Sequence, residues 1–161
     1  MAPFIDRGTG TVHLSNDWAL VPGLSIEALS NLIGARVSNS DGNVRWFSHI
    51  LVESRYGQLD VTLNFDPQIL TSIMVNLKTE FKTSEAKKKA KHDAMITALL
   101  GQPTSERNYV SSEIVRFLFG VIQYKWPKLA KELTWEMPWG TVISGADMRR
   151  SVAEIWIMWK S

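Results

Sequence analysis

The stretch Gln58-Leu-Asp-Val-Thr-Leu-Asn-Phe65 alternates without a break, with Leu59, Val61, Leu63 and Phe65 on one side and Asp60, Thr62 and Asn64 on the other. Successive side chains of a strand point to opposite faces, so this is a strand with one face in a core and one carrying polar groups. Ser54-Arg55-Tyr56-Gly57 supplies a tight turn before it, and Asp66-Pro67 closes it. Upstream, Val44 to Glu53 sets Trp46, Ile50 and Val52 against Arg45, His49 and Glu53; downstream, Ile69 to Leu77 turns Ile69, Ile73, Val75 and Leu77 inward. Three such strands joined by short connections predict an antiparallel meander with one buried face.

Working outward, Thr11 to Leu14 reads as a short strand. Ser25 to Gly34 reads as a short helix, with Ser25 as N-cap, Gly34 as stop and Ile26, Leu29, Leu32 and Ile33 as its buried stripe. A capping pair, Thr83-Ser84, opens a longer helix that ends near Leu100, before Gly101 and Pro103. In it Ala86, Ala90, Ala94 and Ala98 recur at four-residue spacing and are expected to lie against the sheet, joined by Met95, Ile96 and Leu99. A further helix is predicted over Ser112 to Tyr124, and a short one from Pro127 through Leu133. Leu133 to Trp159 reads as a hairpin in which Pro138 marks an edge or bulge and Trp139 to Ser144 continues the strand. Its last strand, Val152 to Trp159, is apolar on both faces and is expected to be central. No repeat or linker divides the chain. The expectation is one domain, residues 1–161, of α+β class: an antiparallel sheet of about five or six strands with two or three helices packed on it.

Composition restricts the chemistry. None of the 161 residues is cysteine, which removes disulfides, thiolate metal sites and thiol nucleophiles. Met1 to Arg7 has no basic segment followed by a long apolar one, and apolar runs such as Phe117 to Ile122 fall far below the roughly 20 residues a membrane helix needs. A cytoplasmic location is the expectation. Eighteen basic and 16 acidic side chains make a nearly balanced surface of net charge +2. The three histidines, His13, His49 and His92, are the groups able to trade a proton near neutral pH, yet none stands at a diagnostic spacing. His92, beside Asp93, is expected on an exposed helix face. There is no Gly-x-Ser-x-Gly elbow, no phosphate-cradling glycine loop and no dense acidic metal loop, so no catalytic residue, metal or cofactor is assigned. Were the chain an enzyme or small-molecule binder, His49 and Asp60 on neighbouring strands would be the pair to test. Lys87-Lys88-Lys89-Ala90-Lys91 is the segment a nucleic-acid module would use, but its lysines interleave with the alanine stripe and read as a solvated face.

Seven tryptophans are several times the usual complement, and five of them follow residue 125. Trp135, Trp139 and Trp159 read as core. Trp156 shares a strand face with Glu154 and Met158, with Arg149 and Arg150 at its entrance, and Trp, Met and Arg are enriched in protein interfaces. In size and organisation, a small, stand-alone, motif-poor α+β domain, the chain resembles the cytoplasmic immunity proteins that bacteria pair with polymorphic or contact-delivered toxins. That resemblance implies a non-catalytic inhibitor, a toxin acting in the cytoplasm as partner, and a contact surface including Trp46, Tyr56, Arg149, Arg150 and Trp156. Nuclease inhibitors are often acidic, and this chain is slightly basic. The implied target is therefore not a nuclease, or is bound away from its nucleic-acid cleft.

Overall fold

The computed structural model describes residues 4–13, 19–33, 38–40, 44–54, 57–66, 68–78, 84–108, 131–147 and 152–160; at 30–33, 38–40, 44–54 and 147 it describes the backbone alone. The alternating stretch at the centre of the sequence is strand β5 (Gly57–Asp66), after β1 (Val12–His13), β2 (Ala19–Leu20), β3 (Ser38–Ser40) and β4 (Val44–Ser54). It is followed by β6 (Ile69–Leu77), β7 (Ser105–Asn108), β8 (Lys131–Met137), β9 (Gly140–Asp147) and β10 (Val152–Trp159). Helix α1 (Ile26–Ile33) precedes β3, and α2 (Glu85–Leu100) lies between β6 and β7. The fold is α+β. All strand pairs are antiparallel, in a two-stranded sheet β1-β2 and an eight-stranded sheet ordered β3-β4-β5-β6-β10-β9-β8-β7. Six long strands form the body, and the short β3 and β7 at its two edges make it wider than the alternation alone indicates.

The predicted meander is present as β4-β5-β6, and β10, apolar on both faces, is central, between β6 and β9. The core face is built from registered rows. Leu63, Ile73, Ile157, Val142 and Trp135 form one, and Val61, Val75, Ile155, Ser144 and Leu133 the next. Leu59, Val61, Leu63 and Phe65 are all fully buried, as their spacing predicts. On this face Phe4, Ile5, Val12, Leu20, Ile26 and Leu29 from the N-terminal segment join the same core cluster. Trp135 ties down the end of α2, and Trp139 and Trp159 tie down that covering layer. Their indole N–H groups donate to the carbonyls of Gly101 (2.8 Å), Arg7 (2.9 Å) and Gly10 (2.9 Å). A Trp indole buried against apolar surface still needs an acceptor, and here each finds a backbone one.

Both helix starts follow the capping signals: Ser25 Oγ accepts from Ala28 N–H (3.1 Å) and Ser84 Oγ from Lys87 N–H (3.4 Å). The buried face of α2 is only in part the expected one. Each four-residue step overshoots a full turn by about 40°. The alanine stripe therefore drifts from the half-buried Ala86 and Ala90 to the exposed Ala94 and Ala98. Met95 and Ile96 face the sheet as expected, but their companions there are Lys89, His92 and Leu100 in place of the alanines. His92, expected on an exposed face, is fully buried, and so is one lysine of the run expected in solvent.

Three local readings also change. Pro138 and Trp139 form the turn of a β8-β9 hairpin that pairs Met137 with Gly140, so the terminal region is a three-strand meander; Lys131 to Leu133 belongs to β8 and not to a helix. A register shift in β4 between Phe47 and Ile50 puts Phe47 opposite Leu63 and Ile50 opposite Val61. Three chain steps there face two, which reverses the phase of alternation. Trp46 consequently stands opposite Asn64, in a different row from Ile50 and Val52. A second shift, between Asn64 and Phe65, puts Leu70 opposite Phe65, so Leu70 is buried and Ile69, expected inward, is 48% exposed. The helix predicted over Ser112 to Tyr124 lies outside the described residues.

Candidate functional site

The opposite face of the large sheet carries the polar half of the alternation. One continuous row runs Thr62, Met74, Trp156, Ile143, Thr134 and Ser105 from β5 to β7. Beside it a second row runs Ser38, Trp46, Asn64, Ser72, Met158, Thr141 and Glu136 from β3 to β8. Trp156 is half-buried, and its ring lies over Gly145: a Cβ added there would stand 2.8 Å from Trp156 Cζ3 and 3.6 Å from Glu132 Oε2. A glycine at that register position makes a flat seat for the indole, flanked by the carboxylate of Glu132.

Exposure grades across this face. At one end Glu154, which pairs with Gly145, is only 3% exposed, and the Oδ1 of Asn76 is buried without a partner among the described residues. At the other end the face opens, where Asp66 pairs with Ile69 and Glu136 with Thr141. The hydroxyl of Thr141 donates to Glu136 Oε2 (2.9 Å), the Asn64 amide to Ser72 Oγ (3.0 Å), and Lys160 Nζ to the Met137 carbonyl (3.0 Å). The large hydrophobic side chains exposed among the described residues are Val21, Ile69 and Met158, and the last two belong to this open end of the face. Met158 and Ile69 enter through the sheet register. Val21 lies in the turn of the N-terminal segment in which Gly23 N–H donates to the Leu70 carbonyl (3.2 Å) and Gly23 approaches Ile69 Cγ2.

A second polar cluster lies between α2 and the core face. Lys89 Nζ pairs with Asp93 Oδ1, and the same oxygen accepts from the buried hydroxyl of Ser144 (2.7 Å). Burial holds the Lys89 ammonium below its usual pKa, against the hydrogen bond and charge of Asp93, which raise it. His92 Nε2 accepts from the Leu77 N–H (3.1 Å), and burial, then the charges of Lys89 and Lys88, push its pKa down to about 3. Glu85 Oε2 accepts from the Ala153 N–H (2.9 Å) while its other oxygen pairs with Lys88 (2.7 Å). Ser144 is fully buried and spends its hydroxyl on Asp93, so the cluster presents no nucleophile to a substrate. It fastens a helix.

Of the residues expected to make contact with a partner, Trp156 sits centrally on the second face and Trp46 occupies a register position in its adjoining row, three strand spacings or roughly 14 Å across the sheet. Tyr56, Arg149 and Arg150 lie outside the described residues. His49 and Asp60 do sit on neighbouring strands, but Asp60 pairs with Leu51, and His49 falls in the bulge of β4. The lysine run is split: Lys87 and Lys91 are exposed, Lys88 is paired and Lys89 is interior. The sequence reading places Met158 on the face of Trp156 but does not single it out for contact, and it misses Ile69. Met158 was legible as a neighbour of Trp156 in the alternation, whereas Ile69 is turned out by a bulge that leaves no local signal. Among the described residues no group of three His, Asp or Glu side chains gathers to hold a metal ion, and no helix is long and apolar enough to cross a membrane. No family model matches the sequence, and neither a curated protein nor a solved structure matches it.

Proposed function

We propose that this chain works by contact, as a non-catalytic protein-binding domain that docks through the open rim of the second sheet face, and that its narrower role is to inhibit a cognate protein toxin, as immunity proteins do. One observation carries the reading: Ile69 and Met158, exposed large hydrophobics among the described residues, stand toward the same open end of the second face, beside the row that holds Trp156. Scattered apolar residues on a surface need no explanation, but a group beside a half-buried tryptophan and a methionine row has the composition of an interface centre. Asp66, Glu136 and Lys160 form a polar border of the kind that surrounds such a centre.

The test is co-expression with the product of the adjacent reading frame, followed by titration of the purified pair. The expected result is protection of the cell and a complex whose Kd rises roughly thirtyfold, about 2 kcal/mol, for each of Ile69→Asp and Met158→Asp. Unaltered binding by both variants removes this surface. A neighbour that is not toxic removes the toxin reading and leaves the surface to be tested on whatever partner co-purifies.

A further inference from the structure

Three side-chain hydrogen bonds that join α2 to the sheet run one way. Glu85 accepts from Ala153 N–H, His92 from Leu77 N–H, and Asp93 from the hydroxyl of Ser144. Each acceptor is on the helix, each donor is on the sheet, and each acceptor is a group that a proton abolishes or weakens. A further contact, from Trp135 N–H to the Gly101 carbonyl just past the helix end, is left intact by acid. We propose that α2 is an acid-released latch: protonation of its acceptors undocks the helix while the sheet keeps its register. This is independent of what the second face binds.

His92 is the first acceptor to consider. With Nε2 holding the Leu77 N–H, its proton sits on Nδ1, which has no partner among the described residues. A second proton would consume the accepting lone pair and leave the Leu77 N–H buried and unmet. The surroundings oppose that proton. Lys88 and Lys89 stand beside the ring on its own helix; β6 presents the Leu77 backbone, β9 the Ser144 hydroxyl and β10 the Ala153 N–H. From β8, Lys131 and Glu132 act on Lys89 with opposite signs. Protonation of Asp93 would in turn leave the Lys89 ammonium, fully buried, without its counter-charge.

The sign follows from linkage. In the docked state the His92 pKa is about 3, and in the undocked helix it returns toward 6.5. Its contribution is complete above pH 6.5 and is lost progressively as the pH falls from 6.5 toward 3. One extra proton taken up by the open state raises the open fraction about tenfold per pH unit, so about a hundredfold between pH 6.5 and 4.5.

Hydrogen exchange of the full chain at pH 7.0 and 4.5, corrected for the intrinsic rate, tests this. Protection within residues 85–100, and of the Leu77 N–H that His92 holds, is expected to fall about a hundredfold, with residues 57–76 unchanged; His92→Gln, whose amide oxygen accepts at either pH, should abolish the difference. A fall of less than threefold in the helix, an equal fall in helix and sheet, or an undiminished pH response in His92→Gln would overturn the latch. The wild-type comparison decides the matter if that variant does not fold.

Discussion

Lys89 and Asp93 are partners of unequal burial, and removing one or the other should have very different consequences. The Lys89 side chain is fully buried and that of Asp93 is 24% exposed. Asp93→Asn keeps an acceptor for Ser144 but removes the negative charge, leaving an ammonium in the core. Breaking a buried pair in this way costs about 3–5 kcal/mol. The chain can limit the loss by folding with Lys89 neutral, and taking a proton off an ordinary lysine at pH 7 costs about 4.6 kcal/mol, so the two estimates agree. Lys89→Met removes the buried charge and keeps an unbranched side chain of similar length. Asp93 keeps the Ser144 hydroxyl and its access to water, so the expected cost is about 0–1 kcal/mol. Urea unfolding at pH 7 with unchanged slope should place the Asp93→Asn midpoint far below that of Lys89→Met. The Asp93→Asn deficit should shrink as the pH rises to 9, because neutral lysine becomes cheaper. Equal midpoints, or an Asp93→Asn variant within 1 kcal/mol of wild type, would refute the view that the helix is fastened through a buried charge.

Two further substitutions probe close approaches. Gly10 has φ +72°, and a Cβ there would stand 2.3 Å from the Trp139 ring, so Gly10→Ala should destabilise by about 1–3 kcal/mol, read as a lowered Tm, and loosen the N-terminal cover. Gly145→Ala should displace the Trp156 indole from its seat; a changed tryptophan emission and weakened partner binding are expected, and an unchanged spectrum would show that the seat does not position the ring. The rim variants Ile69→Asp and Met158→Asp should leave the unfolding free energy from urea titration within about 0.5 kcal/mol of wild type, since exposed positions carry little stability.

The sequence by itself determined the α+β class, the β4-β5-β6 meander, the central place of β10, the caps at Ser25 and Ser84 and the burial of Leu59, Val61, Leu63 and Phe65. Those features rest on side-chain period and on residues adjacent in the chain, which local reading sees. Tertiary structure alone decided which of two competing stripes on α2 is buried. The alanine spacing is regular but drifts off the contact line, while Lys89 and His92 enter the interior because the Asp93 carboxylate, held by the Ser144 hydroxyl, pairs the one and the Leu77 N–H meets the other. The same holds for the open rim. Bulges in β4 and β6 reverse the alternation, placing Trp46 opposite Asn64 and turning Ile69 outward. A bulge is fixed by the partner strand's register, and no residue in the bulged strand need announce it.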